Sequence, residues 1–226
     1  MKRALKWLAI VLGALFVVVL ILFTLAITGV IGPPKASPEA IASSVDRDPE
    51  RMERAFALPV AASYGRELLW QSNGSTCGPA SVANALASWG DEVEGEADVL
   101  EGTGLCGTGM CFMGLTLEEL ARVAESAGPG KVEILRDLSP EEFQAQLRLA
   151  NDPDRRVIIN FTRRPIFGAG GGHFSPIGGY LEEEDLVLVL DVNAEYQPWL
   201  IERERLFAAM DTMDGERKRG LLVIER

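Results

Sequence analysis

A cysteine at the start of an apolar helix constrains this chain more than any other feature of its sequence. The motif Gln71-Ser-Asn-Gly-Ser-Thr-Cys77 precedes an apolar run that extends to Trp89 and stops at Gly90. The run predicts a buried helix with Cys77 at its N-terminus. Unpaired backbone N–H groups and the helix dipole favour a thiolate at that position and lower the pKa of the cysteine. The sequence therefore predicts a cysteine nucleophile.

A cysteine nucleophile needs a base, and the chain contains one histidine, His173. His173 begins a predicted strand directly after three glycines, and the next predicted strand ends at Asp191. Antiparallel pairing of these strands can place Asp191 beside His173, where a carboxylate orients the imidazole and stabilises its protonated form. The Gln71 side chain would lie on the turn before Cys77 and offer an N–H to an oxyanion. We therefore predict four catalytic residues: Cys77, His173, Asp191 and Gln71.

Each of these residues also fits a structural role when it is considered alone. A lone cysteine before an apolar helix is commonly a core residue. A lone histidine in a strand is commonly a hydrogen-bonded structural residue, and Asp191 can simply begin a turn. Their order along the chain is the order used by papain-like enzymes, and each lies at the boundary of a predicted element. The combination favours the catalytic interpretation.

The N-terminal segment is a predicted membrane anchor. Three basic residues among the first six precede an uncharged run from residue 7 to 34 that is long enough to cross a bilayer as a helix. A secretory signal peptide is the alternative, but its apolar region is normally shorter, and no clean small-x-small cleavage site follows Ile27. We predict that residues 1–33 form a single membrane span with a cytoplasmic N-terminus. The rest of the chain would then lie on the periplasmic or outer face.

The remainder of the chain is predicted to be one acidic domain. Residues 34–54 are rich in proline and charge and are interpreted as a linker, in which residues 39–55 form a stalk or a loose helix. Residues 55–226, about 170 positions, are enough for one domain with its own core. The net charge of −11 becomes −14 when the three basic residues of the N-terminal segment are set aside. This acidity argues against nucleic acid as a partner.

Two further cysteines lie in a glycine-rich loop. Cys106 and Cys111 are compatible with a local disulfide if the domain lies outside the cytoplasm, and the sequence leaves their pairing open. We predict no metal site in the protein, since a zinc site needs more ligands than a chain with one histidine supplies. Cys77 is the odd cysteine left over, as expected of a reactive thiol.

The pattern of elements predicts an α+β fold. Capping boxes begin helices at Thr116-Leu-Glu-Glu119 and at Ser139-Pro-Glu-Glu142, and apolar runs then predict strands. The predicted strands are residues 131–135, 157–161, 173–180, 186–192 and 220–224, with a late helix at 204–210. Helices come first and a mainly antiparallel sheet follows.

Four segments resemble the phytochelatin synthase family, and together they extend over residues 55–226. Gly172-His-Phe-Ser-Pro-Ile-Gly-Gly-Tyr180 is the most specific of them and resembles the family's histidine motif. The other three are the Gln-x5-Cys-Gly element at residues 71–78, the aspartate strand at 188–192, and the closing segment, Phe207 to Asp214 with Arg219-Gly220.

The resemblance implies a papain-like cysteine protease fold and cleavage of the Cys–Gly bond of glutathione or a related γ-Glu-Cys peptide. Cys77 would attack the cysteinyl carbonyl with help from His173, while Gln71 and the Cys77 N–H hold the oxyanion. Glycine would leave, and the γ-Glu-Cys thioester would pass to water or to a second glutathione. No cofactor is required by this chemistry, although cadmium or zinc can enter as a metal–thiolate complex of the substrate.

The resemblance also implies a site for the γ-glutamyl end of the substrate. Its α-amino and α-carboxylate groups need an acid and a base held close together, and Asp214 and Arg219 occupy the matching positions. Gly172 would let the substrate approach closely beside His173. The alternative is that the charged residues around Arg219 form a solvated turn.

Departures from the family pattern favour hydrolysis over chain-elongating transfer. Plant members have Ala-Arg-Phe after the aspartate, whereas this chain has Asn193-Ala-Glu195, and it carries no cysteine-rich C-terminal extension. Two other functions remain open. One is a C39-like peptidase that cleaves after a double-glycine leader, and the other is a catalytically inactive module that senses thiols or metals.

Overall fold

The computed structural model describes residues 2–27, 34–107, 109, 111, 114–128 and 130–226, which divide into two units, 1–35 and 36–226. In the first unit, helix α1 (Lys2–Ile27) contains a stretch, Lys6–Thr24, that could cross a membrane by its length and composition. The rest of the predicted anchor, residues 28–33, lies outside the described residues.

The second unit contains nine α-helices, one short 3-10 helix (Glu182–Glu184) and eight strands within its described residues. The helices are α2 (Pro38–Ser44), α3 (Pro49–Phe56), α4 (Pro59–Tyr64), α5 (Cys77–Ala87), α6 (Glu96–Leu100), α7 (Leu117–Ala127), α8 (Pro140–Leu149), α9 (Arg164–Phe167) and α10 (Arg203–Met210). The strands are β1 (Lys131–Arg136), β2 (Arg155–Thr162), β3 (Gly172–Leu181), β4 (Leu186–Val189), β5 (Trp199–Glu202), β6 (Met213–Asp214), β7 (Arg217–Lys218) and β8 (Gly220–Glu225).

Six of the strands form one antiparallel sheet in the order β1-β8-β2-β3-β4-β5, and β6 pairs with β7 in a separate hairpin. Helices come first along the chain, and most of the sheet follows them. The structure therefore confirms the α+β layout with an antiparallel sheet.

Strands β2, β3, β4 and β8 are buried on both faces, since successive side chains of a strand point to opposite sides and nearly all of theirs are buried. Ile158 of β2 belongs to a core formed with α5 and α7, whereas its neighbour Ile159 belongs to a core formed with α8 and α10. Strands covered on both faces read as continuous apolar runs. This pattern helped to locate five of the six strands of the sheet in the sequence.

Both predicted capping boxes are present. The Thr116 hydroxyl accepts a hydrogen bond from the N–H of Glu119, whose carboxylate accepts one from the Thr116 N–H, and α7 follows. Ser139 and Glu142 make the same pair of bonds before α8.

A bulge in β3 explains the glycine pair of the histidine motif. The register against β4 shifts between Ile177 and Gly179. A Cβ on Gly178 would lie 2.8 Å from the Leu188 side chain, and Gly179 has a φ of +153°. Backbone pairing resumes where the Leu190 N–H donates to the Pro176 carbonyl. The bulge thus lets the chain run on to Asp191 close to the start of β3.

The prediction that residues 34–54 form a linker is wrong. They contribute α2 and most of α3 to the second unit, where Ile41 is buried in the core. Asp46 forms a backbone bridge with Leu200. The folded unit therefore begins near residue 36 and not at residue 55. Each of these short helices carries few apolar residues, so its amphipathic pattern was too weak to be recognised.

Smaller differences lie at the edges of elements. Residues 199–202 form strand β5, which the sequence did not predict, and the short helices α6 and α9 were also missed. The strand predicted to reach residue 192 ends at Val189. It ends early because Asp191 turns inward to side-chain partners.

Candidate active site

Cys77 is the first residue of α5, as the sequence predicted. Residues 77–86 of this helix are all buried, and Cys77 itself is 8% exposed and carries a free thiol. Thr76, the residue before the helix, makes no side-chain capping bond. The N–H groups of the first turn therefore remain directed at the region around the thiol.

Asn84 fixes the segment before Cys77 against the helix. Its Oδ1 accepts a hydrogen bond from the Leu69 N–H, and its Nδ2 donates to the Leu69 and Ala80 carbonyls. Two residues further on, the Gln71 N–H donates to the Val192 carbonyl. Gln71 therefore lies beside the chain that follows Asp191.

His173 and Asp191 form the predicted pair. The His173 ring is buried near the start of β3, and its Nε2 lies 3.0 Å from Asp191 Oδ1. Its face is closed by Phe161, which packs edge-on with 5.5 Å between ring centroids. Burial raises the pKa of the Cys77 thiol and the charge of His173 lowers it, so the two side chains interact. Because Nε2 is engaged by Asp191, Nδ1 is the nitrogen left to exchange a proton with Cys77.

Asp191 is fully buried and has several donors. Arg163 Nη2 donates to its Oδ1 at 2.9 Å, and Arg163 Nη1 lies 2.9 Å from its Oδ2. Trp199 Nε1 donates to Oδ2 at 3.2 Å, and the Asn193 N–H donates to Oδ1 at 3.0 Å. Burial raises the pKa of Asp191, but the charges of Arg163 and His173 outweigh burial and hold this pKa well below its usual range. Asp191 is therefore ionised.

The electrostatics of the site favour a thiolate–imidazolium pair. Burial raises the pKa of Cys77, but the charge of His173 and hydrogen bonds from His173 and the Phe174 N–H lower it below its usual value. Burial and the charge of Arg163 lower the pKa of His173, yet the charges of Asp191 and Cys77 raise it above its usual value. The two shifts bring proton transfer from thiol to imidazole within reach at neutral pH.

The structure places Gln71 on the turn before the helix, with its amide held by that turn. Gln71 Nε2 donates to the Asn73 carbonyl at 2.7 Å, and Gln71 Oε1 is buried with no hydrogen-bond partner within the described part of the chain. The amide has a second N–H hydrogen. Its use by an oxyanion stays a prediction.

The glycine-rich loop lies against this same turn. Cys106 and Cys111 form a disulfide, which answers the question left open by the sequence. The Cys111 N–H donates to Ser75 Oγ, and Asn73 Nδ2 donates to the Gly109 carbonyl. The loop is thus hydrogen-bonded to the residues that connect Gln71 to Cys77. Across the described residues, no group of three or more His, Cys, Asp and Glu side chains could hold a metal ion.

A second polar cluster lies next to His173. Arg219 Nη2 donates to Asp214 Oδ1 at 2.9 Å, and Asn160 Nδ2 donates to Asp214 Oδ2 at 3.0 Å. A Cβ on Gly172 would lie 2.8 Å from Arg219 Nη2, so the guanidinium rests on the backbone directly before His173. The structure therefore brings together the three residues that were predicted to bind substrate.

The Asp214–Arg219 pair is only partly shielded from water. The Asp214 side chain is 34% exposed, whereas that of Arg219 is 9% exposed. Arg219 Nε is buried and has no hydrogen-bond partner among the described residues. Burial lowers the pKa of Arg219, and the charge of Asp214 opposes this shift. The cluster presents a buried cation and a reachable carboxylate.

Sequence reasoning missed two polar residues of these clusters. Asn160 had a usable signal, because it interrupts the apolar strand Val157-Ile-Ile-Asn-Phe161 and is almost fully buried. Arg163 had no usable signal in the sequence. It belongs to an Arg-Arg doublet that is typical of a solvated turn, and its partner Asp191 lies 28 positions later.

Comparison with known proteins relates the chain to one family. A family model described as phytochelatin synthase matches residues 35–221. Glutathione gamma-glutamylcysteinyltransferase 1 of Triticum aestivum is 35% identical over 119 residues, covering 50% of this chain and 24% of that protein. Glutathione gamma-glutamylcysteinyltransferase of Schizosaccharomyces pombe is 28% identical over 117 residues, covering 50% of this chain and 28% of that protein. The chain spans about a quarter of the length of these relatives.

Two solved structures are similar in fold. The peptidase domain of Streptococcus ComA, a bi-functional ABC transporter involved in quorum sensing, has a TM-score of 0.50 at 16% identity, covering 71% of this chain and 98% of that one. A C39-like peptidase from Bacillus anthracis has a TM-score of 0.53 at 16% identity, covering 72% and 96%. At these identities the similarity concerns the fold alone, and it confirms the papain-like cysteine protease fold.

Proposed function

The chain belongs to the phytochelatin synthase family, and from that membership we propose that it cleaves the Cys–Gly bond of glutathione or of a related γ-Glu-Cys peptide. One observation carries the proposal. The Cys77–His173–Asp191 site and the Asp214–Arg219 pair lie on the two sides of the single peptide that joins Gly172 to His173. The proposed nucleophile and the proposed binding site for an amino-acid group therefore meet at neighbouring residues of β3.

Acylation begins with the Cys77 thiolate. Its Sγ attacks the cysteinyl carbonyl carbon, and the oxyanion that develops is held by the Cys77 N–H and by the Gln71 amide. His173, protonated and oriented by Asp191, donates its proton to the departing glycine nitrogen as the C–N bond breaks. The product is a γ-Glu-Cys thioester on Cys77 and free glycine.

The γ-glutamyl end is held by the Asp214–Arg219 pair. The α-carboxylate bonds Arg219, whose buried Nε has a hydrogen to donate, and the α-amino group bonds the exposed part of Asp214. Charge-assisted bonds of this kind fix both position and orientation. Asn160 holds the other Asp214 oxygen and keeps the carboxylate in place.

Water is the proposed acceptor of the acyl group. His173, neutral after glycine leaves, takes a proton from water, and the hydroxide attacks the thioester to release γ-glutamylcysteine. Support comes from Asn193-Ala-Glu195, which stands where plant relatives carry an arginine. A second glutathione in place of water would give a phytochelatin. Cadmium or zinc would enter as a thiolate complex of the substrate.

The membrane anchor and its orientation also belong to the proposal. Support comes from the Lys6–Thr24 stretch of α1 and from the three basic residues of the N-terminal segment. The catalytic unit would lie on the periplasmic or outer face, attached to the lipid bilayer by one helix. Protease accessibility of residues 36–226 in intact cells and in opened vesicles tests this orientation.

The activity is tested by mixing the full chain, in detergent micelles, with glutathione and analysing the products by mass. We expect glycine and γ-glutamylcysteine in equal amounts, and parallel reactions with and without cadmium or zinc show whether a metal thiolate is needed. Longer γ-Glu-Cys oligomers would make transfer the main reaction. Cleavage of a double-glycine leader peptide without glycine release from glutathione would favour the C39-like alternative, and no reaction with either would favour a sensing module.

A further inference from the structure

Arg163 is a buried cation at the centre of the site, and the cleavage steps above do not use it. It follows β2 directly and is 5% exposed. Its guanidinium faces both oxygens of Asp191, and its Cζ lies 3.4 Å from the centroid of the Tyr196 ring. A Cβ on Gly170 would lie 2.8 Å from Arg163 Cβ, so the glycine-rich turn closes around its stem. The side chain is therefore held from three sides.

The charges of the site require a cation in this place. A thiolate on Cys77, an imidazolium on His173 and a carboxylate on Asp191 together carry one net negative charge, and all three groups are buried. An uncompensated buried charge is costly, and such sites commonly lose the charge by taking up a proton. The guanidinium of Arg163 brings the net charge of the four groups to zero.

We propose that Arg163 is a positioning residue that acts through Asp191: it fixes the carboxylate that orients His173, and it balances the charge of the thiolate–imidazolium pair. A planar guanidinium suits this task because it meets both carboxylate oxygens at once. The inference rests on the proposed function only in taking Cys77 as the nucleophile. It does not depend on which substrate the thiol attacks.

Other charged and titratable groups face this cluster from each neighbouring element. Tyr196 comes from the loop between β4 and β5, His173 from β3 and Cys77 from α5. Arg47, from the segment between α2 and α3, also interacts electrostatically with Asp191. Its hydrogen bonds, however, go to the carbonyls of Tyr196 and Pro198. Arg163 is thus the arginine that bonds the carboxylate itself.

The sign of the expected pH effect follows from the positive charge. The charge of Arg163 lowers the pKa of Cys77 and also lowers that of His173. Removing it in Arg163→Met should therefore move both the acid and the alkaline limb of the activity profile to higher pH, by about one unit. A purely structural defect would reduce the rate without moving both limbs in the same direction.

Two further variants separate charge from geometry. Arg163→Lys keeps the charge but loses the two-pronged contact, so we expect both limbs to stay in place while turnover falls at least about tenfold. In an Asp191→Asn background, Arg163→Met should reduce turnover much less than it does alone, because the carboxylate that Arg163 positions is already neutral. Arg164→Met, at the exposed neighbouring position, is the matched control and should leave the profile unchanged.

The test is the rate of alkylation of Cys77 by iodoacetamide, measured on the full chain from pH 4 to pH 10 with the Cys106–Cys111 disulfide intact. This reaction reports the thiolate without any peptide substrate, so it can succeed even where glycine release from glutathione fails. We expect the midpoint of alkylation to rise in Arg163→Met and to stay in place in Arg163→Lys and Arg164→Met.

Two results would overturn the proposal. One is an Arg163→Met protein with a normal thermal melt whose alkylation midpoint equals that of the unmodified chain. The other is an Arg163→Lys protein with undiminished turnover, which decides the question even if Arg163→Met does not fold. Turnover is read as glycine release or, should glutathione not be a substrate, as hydrolysis of whichever peptide the chain cleaves.

Discussion

The two polar clusters beside Gly172 differ in their access to water. In the catalytic cluster the Asp191 side chain is 0% exposed and that of His173 5%. In the recognition cluster the Asp214 side chain is 34% exposed. Proton transfer needs charges with shifted pKa values, which burial and close partners provide. The recognition of substrate proposed for the second cluster needs groups that a ligand can reach, and the Asp214 carboxylate meets this need.

The clusters also differ in what holds them. The catalytic residues come from α5, β3 and the chain after β4, all packed into the core. The recognition residues lie on and next to the β6–β7 hairpin, which is attached to α7 through Glu118. Arg217 Nη1 and Arg136 Nη2 lie 2.7 and 2.8 Å from the Glu118 carboxylate. Partly exposed ion pairs contribute little to stability. Substitutions should therefore affect turnover in the first cluster and substrate affinity in the second.

The largest expected effect is that of Cys77→Ser. A hydroxyl is not ionised by His173 at neutral pH, so activity should fall by about 10⁵-fold or more. The fold should persist, because serine is close in size to cysteine at this buried position. Glycine release and a thermal melt check both statements. A Cys77→Ser protein with unreduced activity would contradict the proposed mechanism. His173→Ala should be as inactive as Cys77→Ser.

Asp191→Asn should reduce kcat by roughly 10²- to 10⁴-fold and leave KM nearly unchanged. The amide favours the wrong tautomer of His173 and cannot stabilise the imidazolium. Steady-state kinetics with glutathione measure both constants. Asp185→Asn is the matched control, since Asp185 bonds Tyr180 and Arg203 in a separate network. A loss confined to KM would contradict the division between the clusters.

Arg219→Met should raise KM more than it lowers kcat, in contrast to Asp191→Asn. It removes the buried donor for the substrate α-carboxylate, so KM should rise by about 10- to 100-fold while kcat falls much less. Arg217→Met, on the same hairpin but directed to Glu118, is its control and should change KM only slightly. A fall in kcat with unchanged KM would show that Arg219 serves catalysis and not recognition.

Gly172→Ala is the mildest change and lies between the two clusters. Its new methyl would lie 2.8 Å from Arg219 Nη2, so the guanidinium must shift away from the substrate site. We expect about a tenfold rise in KM, with alkylation of Cys77 unaffected. Gly107→Ala, where a Cβ would meet no atom of the described residues within 4 Å, is the control. Slower alkylation in Gly172→Ala would mean that the clusters are mechanically coupled.

The Cys77–His173–Asp191 triad was predictable as a spatial cluster because each member has a local signal. Cys77 begins an apolar helix, His173 is the single histidine, and Asp191 is a carboxylate at the end of an apolar strand. The residues that support the triad lack such signals. Arg163 becomes meaningful only when β2 and the chain after β4 are brought together, and no local pattern encodes that contact.

The predicted N-terminal boundary of the folded unit, residue 55, was wrong for a related reason. Pro38 and Pro49, together with the charges around them, suggested a linker, yet each proline stands in the first turn of a short capped helix. The burial of these helices comes from contacts of α2 with α9 and of α3 with β3, both far along the chain. The resemblance to a family, in contrast, relied on contiguous motifs and placed Asp214, Arg219 and Gly172 together correctly.

The attachment of Arg47, near the start of the second unit, affects the order in which the active site assembles. Arg47 bonds the carbonyl of Tyr196, 149 positions later, and so ties down the loop that backs Arg163. Closing so long a stretch of chain is slow, whereas neighbouring elements such as β2 and β3 pair early. During refolding we therefore expect the sheet to form first and the catalytic groups to align last. Activity should therefore return later than secondary structure, once Arg47 has bound the loop that contains Tyr196.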